Sequence, residues 1–450
     1  MLYPTRADYI DIIIPNLSRF AIDERARNGT PRRNKMGGPF FKQGGMAMTF
    51  PIEYDGATYA FRVWFTDLGD LGERYAILEK HDRQNCPWLL RTWYYKHNLF
   101  FKNSHYPALC MDWVEGETFE EILNKYHANS GFIRNIADVF LQLVREMHAN
   151  NISHGDLQHG NIMYAKVPGK TPDEYEYEVK LVDYDSIWTP EMGDMPASTA
   201  GLPGYQHPLR KNFPLLKGKT DYFSELVMYL SLLAIAENPR RWTKVKDTGR
   251  LLFDVTDLRS PAASEIFREL KKSPSHEIRF LTEELHNFCR EQDLNKLDPL
   301  ETVVERVAAK TAVIEAAEKA AAEKAAAERE AAEKAAARQI DDNTPIPIPV
   351  PVPTSAPKPR DIKWETANGS QQPQPPPPPP PKQGLPGNEG GSSGHGLGTP
   401  PPTLQPPSKD PFASPVQDRW NDPPPPPPQK KIIIKHEDPN QKQQTADNRP

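Results

Sequence analysis

The sequence predicts an α+β fold in which a strand-rich first part precedes a helical second part. Three observations predict it. Two apolar, β-branched and aromatic runs within residues 46–65 flank the hairpin signal Asp55-Gly56. Residues 117–149 carry apolar positions at helical spacing, and residues 226–236 form an apolar run of the kind a buried helix uses. An alanine-rich charged segment and a proline-rich tail follow.

Composition sets the boundaries. Of the 49 prolines, 31 lie from Pro345 onward, where large apolar residues are scarce. Such a segment cannot bury enough surface to offset the entropy of ordering, so a disordered tail is expected over 341–450. The remainder divides into an N-terminal extension (1–35), a small β-rich lobe (36–115), a larger helical lobe (116–300) and a charged helix (301–340). The net charge of −5, from 55 basic and 60 acidic residues, gives no sequence-wide attraction to nucleic acid or anionic membrane. The local basic cluster Arg32, Arg33 and Lys35 reads as a solvated loop. Cys86, Cys110 and Cys289 have no CxxC or zinc-ligand spacing, which fits a reducing, cytoplasmic setting. The first twenty residues do not resemble a secretory signal, and the 226–236 run is about half the length a membrane span needs.

Taken in order, residues 37–45 (GGPFFKQGG) hold four glycines, enough to let a backbone approach a phosphate closely. After the 46–65 hairpin, a helix is expected at 71–80 and a strand at 107–114. At Glu115-Gly116 the pattern changes to helix, with Phe119, Ile122 and Leu123, then Ile136, Val139, Phe140, Leu143, Val144 and Met147. In 301–338 glutamates recur every five residues, at 318, 323, 328 and 333. A five-residue step turns a helix by about 140°, so the charges wind around it and leave no coiled-coil seam. A solvated single helix is expected, supported by pairs such as Glu315 with Lys319 and Glu330 with Lys334. The polyproline runs at 375–381 and 423–428 favour extended polyproline II.

The residues suited to chemistry lie between 154 and 185. The segment HGDLQHGN sets Asp156 five residues before Asn161, and LVDYD ends an apolar strand at Asp183. Phosphoryl transfer needs a carboxylate that orients an attacking hydroxyl and accepts its proton, and oxygen ligands that hold Mg on the nucleotide phosphates. Asp156 suits the first task, Asn161 and Asp183 the second.

Together HGDLQHGN (154–161), LVDYD (181–185) and GYQHP (204–208) resemble the protein kinase superfamily, and closely a bacterial protein-kinase-like family that carries these three motifs. The resemblance spans about residues 1–245. It implies a two-lobed kinase-like fold with Mg-ATP between the lobes, and γ-phosphate transfer to Ser or Thr of a protein. By the same resemblance Gly44 and Gly45 begin the phosphate-covering loop, and Ala60 and Arg62 lie on the strand that carries the phosphate-binding cation. Glu73 or Glu79 would pair with Arg62, while Asp112 and Val114 would offer a carbonyl and an amide to adenine. Asp221 matches the aspartate that anchors the catalytic loop, in a position where a helix N-cap also fits.

Three departures from that pattern bear on mechanism. Gly155 stands where an arginine would meet an activation-segment phosphate, so activation by that route is not expected. Gln158, counted among the catalytic positions, stands where a lysine steadies the transferred phosphate. Asp185 replaces a glycine, restricting the backbone or adding a metal ligand. The HGD form without that lysine also resembles aminoglycoside and choline kinases, so a small-molecule kinase is one alternative. A pseudokinase scaffold is another, recruiting SH3-like partners through the proline runs, which Lys382 and Lys430 follow. Residues 430–435, KKIIIK, could add as a strand to another protein's sheet.

Overall fold

A computed structural model describes residues 2–67, 69–168, 175–342 and 433–435. Contacts divide the chain into one unit made of Met1–Ala327 with Pro425–Pro450, and another, Glu328–Pro424. The first unit is a mixed α+β structure, antiparallel strands leading and helices following.

Asp55 and Gly56 both adopt positive φ, 47° and 72°, the two-residue hairpin geometry whose twist matches its strands. Short helices α1 (Leu17–Phe20) and α2 (Glu24–Asn28) come first, then β1 (Thr30–Pro31), β2 (Lys42–Gln43), β3 (Ala47–Tyr54) and β4 (Ala57–Trp64). Helix α3 (Leu71–Lys80) follows, and β5 (Thr92–Phe101) and β6 (Ser104–Asp112) complete a sheet of order β1-β3-β4-β6-β5, with β2 also on β3.

Strand alternation gives this sheet two buried faces. Phe50, Ile52, Phe61 and Val63 pack with Tyr9, Ile13, Ile14 and Leu17 of the N-terminal segment, while Ala47, Ala60 and Trp64 join the larger core on the other side. Burial on both faces is why β3 and β4 read as nearly continuous apolar runs. The N-terminal segment is thus a cover for the sheet, tied to it by the Tyr9 hydroxyl donating to Trp64 O at 2.9 Å.

The expected helical stretch 117–149 is three elements: β7 (Gly116–Thr118), α4 (Phe119–Tyr126) and α5 (Ser130–Ala149). Thr118 and Glu121 form a reciprocal capping box that starts α4, and Asn129 caps α5 by accepting from Phe132 N at 3.0 Å. Strands β8 (Ile162–Pro168) and β9 (Tyr175–Leu181) pair with β7 and with β10 (Ile433–Lys435), in the order β10-β9-β8-β7. Helix α6 (Tyr222–Glu237) is apolar on every side and buried from Phe223 to Ala236, as a central helix must be. Helices α5, α7 (Arg240–Val245) and α10 (His276–Arg290) pack on it, and α8 (Val255–Arg259) and α9 (Glu265–Leu270) pack on α10.

The charged helix α11 (Leu300–Asp342) begins inside the fold, with Leu300, Val303 and Val307 buried. Over residues 308–335 its side chains are largely exposed, with i,i+4 pairs Lys319–Glu323, Arg329–Glu333 and Glu330–Lys334. No helix among the described residues is long and apolar enough to cross a membrane. The polyproline runs, Lys382 and Lys430 lie outside the described residues.

Candidate active site

A cavity of about 230 Å³ opens beneath the first sheet. Ala47 and Thr49 of β3, Ala60 and Arg62 of β4, and residues 111–114 form its walls; Asn161, Met163 and Asp183 lie across from them. The β2–β3 hairpin closes one side. Gly44 lines the cavity, and a Cβ added at Gly44 or Gly45 would meet nothing within 4 Å. Asp112 is fixed by Arg91, whose Nε and Nη2 each donate to its carboxylate at 3.0 Å, and Val114 follows on the cavity wall.

The loop 154–161 is held from below. The Asp221 carboxylate, wholly buried at the start of α6, accepts from His154 N and, at 3.0 Å, from Gly155 N. Asp221 sits at the N-cap position, yet its side chain caps nothing in the helix and serves the loop instead. Gly155 has φ +79°, and a Cβ there would lie 2.2 Å from Ser186 O. Both facts require glycine. The residue that departs from the kinase arginine is therefore fixed by close backbone approach.

Asn161 donates from Nδ2 to Asp156 O at 2.8 Å, which leaves Oδ1 as its other polar atom. Its own carbonyl accepts from Val182 N at 3.0 Å, and Ile162 pairs with Leu181, so the end of the loop and the approach to Asp183 share one ladder. Asp156 accepts from Leu202 N at 2.8 Å. Burial pushes its carboxyl above the ordinary range, against the opposing pull of His154 and the Leu202 amide. Gln158 accepts from Gly160 N at 2.9 Å, capping the turn His159–Asn161. His159 is buried, and burial pushes it down to about 4; its neutral ring shares a hydrogen bond through Nδ1 with the Tyr205 hydroxyl. That bond joins the GYQHP segment to the loop.

Asp183 adopts φ 69° and ψ 69°, a left-handed conformation that costs a non-glycine residue on the order of 1–2 kcal/mol. Arg62 Nη2 donates to Asp183 Oδ1 and to Asp185 Oδ2, both at 2.8 Å. Asp185 also accepts from Tyr75 Oη at 2.8 Å and Trp64 Nε1 at 3.2 Å. Its side chain, 9% exposed, is the most enclosed partner of the arginine. Glu73 and Glu79 lie on exposed positions of α3, away from this cluster. The same helix instead contributes Tyr75 to Asp185 and buries Arg74, which donates to Ile187 O at 2.6 Å and Pro196 O at 2.7 Å. Asp185 thus holds the cation. Nothing in the local sequence of Trp64 or Tyr75 pointed to that pairing across more than a hundred residues.

Among the described residues no group of three or more His, Cys, Asp or Glu is assembled as a metal site. Asn161 and Asp183 offer an amide oxygen and a carboxylate, a set suited to a hard cation that keeps water and phosphate among its ligands. Arg62 brings a cation to the same cavity wall, with Nη2 held by Asp183 and Asp185 and Nε buried without a hydrogen-bond partner. The residues present therefore fit Mg and a nucleotide. The chain matches neither a protein-family model nor a curated protein sequence.

Proposed function

We propose that the chain is a protein-kinase-like phosphotransferase, with two lobes meeting at the cavity and with Mg-ATP as co-substrate. The observation that carries this is the convergence of Arg62, Asn161, Asp183 and residues 111–114 on one cavity, with Asp156 bonded to Asn161. Bound Mg-ATP would supply the γ-phosphoryl group and the cation that neutralises its oxygens.

The chain's own residues do the rest. The main chain at Asp112 and Val114 meets the base, since the Asp112 side chain is committed to Arg91. Gly44 and Gly45 leave open space over the phosphates. Arg62 faces the phosphates from the cavity wall while Asp185 keeps the guanidinium in register. Asn161 and Asp183 hold the metal. Asp156 orients the incoming hydroxyl and takes its proton, a task favoured by a carboxyl whose pKa burial has raised. Gln158, engaged in its turn, acts by shaping the loop. Leu202 N on Asp156 and Ser198 Oγ on Asp185 O fold residues 186–208 against the loop, a surface that suits a protein hydroxyl, Ser or Thr, better than a small molecule. A cytoplasmic setting belongs to the same reading.

Labelled ATP with Mg tests it. Label is expected on the protein itself or on an offered protein, and Asp156→Asn should lose it while still binding nucleotide. Label on small hydroxyl compounds alone would favour a small-molecule kinase; nucleotide binding without any transfer would favour a pseudokinase.

A further inference from the structure

The sheet beneath the active site takes its last strand from the far end of the chain. Strand β10 pairs antiparallel with β9, Ile433 opposite Glu178, Ile434 opposite Tyr177 and Lys435 opposite Glu176. It also lies beside α5. Without β10, β9 would be an edge, a row of unpaired amides and carbonyls that templates strand addition. The location matters, because β8 starts immediately after Asn161 and β9 ends two residues before Asp183. The acceptor strand therefore belongs to the hairpin that carries both proposed metal ligands.

The occupant is set apart by its sequence. Three consecutive isoleucines, bounded by Lys430, Lys431 and Lys435, interrupt a tail dominated by proline and polar residues. Isoleucine favours the pleated conformation. The register sets Lys435 opposite Glu176, while Glu178, opposite Ile433, is buried and paired with Lys180 of its own strand.

We propose that the outer edge of β9 is a strand-accepting surface whose ligand is the chain's own segment 433–435, docked in cis. A strand this short pairs weakly when free. Covalent tethering makes the pairing intramolecular, at an effective concentration on the order of millimolar, so weak pairing still fills the edge. The occupied edge accepts any other extended peptide only when the tail leaves. The kind of partner that competes is accordingly a β-branched strand flanked by lysines.

Hydrogen exchange on the full chain tests this without reference to phosphotransfer. The double substitution Ile433→Pro with Ile434→Pro removes the ladder donors of the segment. The amide of Tyr177, which faces β10 while those of Glu176 and Glu178 face β8, should then exchange at least tenfold faster, while those of α6 keep their protection, which excludes general unfolding. A synthetic peptide of residues 429–438, added at millimolar concentration, should restore the protection, and the same peptide N-methylated at Ile434 should not. Unchanged exchange in the double variant would overturn the proposal, as would equal restoration by the N-methylated peptide. Wild-type protection that rises with protein concentration would also overturn it, since the strand would then be exchanged between copies.

Discussion

Replacing Asp185 with asparagine removes one charge from the Arg62 cluster at nearly constant volume. The carboxylate accepts from Arg62 and Tyr75 at 2.8 Å and from Trp64 at 3.2 Å, with its side chain 9% exposed. Asparagine has a single oxygen, and its amide group would face a donor. Removing one partner of a buried ion pair costs about 3–5 kcal/mol when the other is stranded. Here Arg62 keeps Asp183, whose side chain is 36% exposed, so the expected loss falls to about 2–3 kcal/mol. Urea unfolding reads it as a midpoint lowered by about 1 M with an unchanged slope. Tyr75→Phe should be less damaging, and the two changes together should depart from additivity by at least about 0.5 kcal/mol. A loss below about 0.5 kcal/mol for Asp185→Asn, or strict additivity, would refute the claim that Asp185 holds the arginine.

Gly155→Ala should destabilise by about 2 kcal/mol or more in thermal unfolding, because φ is +79° and the new Cβ meets Ser186 O at 2.2 Å. Asp221→Ala leaves the amides of His154 and Gly155 buried without an acceptor; a loss of about 3 kcal/mol is expected, with the loop 154–161 exchanging faster. His148 bridges the buried Glu225 at 2.9 Å and Glu301 of α11 at 2.8 Å, with the Tyr222 ring against it. Burial opposes its charge, but the two glutamates outweigh burial and push it up to about 9. A histidine raised in the folded state stabilises fully below its ordinary value near 6.5, and that stability is lost as pH rises through about 9. Wild-type stability should therefore fall by on the order of 2–3 kcal/mol between pH 7 and 10, and His148→Gln should flatten that fall.

Much of this was legible because the signals are local. Asp55-Gly56 fixed the β3–β4 turn through its own dihedrals, α3 occupies the 71–80 stretch that its periodicity marked, and α6 could only be buried. The closeness of Asp156 and Asn161 was legible because both sit within one eight-residue loop. Other features depend on partners far along the chain. Tyr75 and Trp64 meet Asp185 across 110 and 121 residues, so a helix glutamate such as Glu73 or Glu79 was the natural local choice for Arg62. Residues 1–35 read as an extension in the sequence because only the finished sheet creates the face that Tyr9, Ile13, Ile14 and Leu17 cover. Strand β5 was missed since Lys96, His97 and Asn98 break its alternation at an irregularity between Tyr95 and Leu99. In 117–149, helical spacing persisted through the break at residues 127–129, where Asn129 ends one run and caps the next.

The central claim is metal-assisted phosphoryl transfer at Asp156, Asn161 and Asp183. The most direct measurement is incorporation of γ-labelled phosphate into Ser or Thr, with Mg present, by the wild-type chain beside Asp156→Asn and Asp183→Asn. The account requires transfer by the wild type, loss of at least a hundredfold in each variant, and retained folding of both. Transfer that persists unchanged in Asp156→Asn, or its absence from the wild type with every offered hydroxyl, would contradict it.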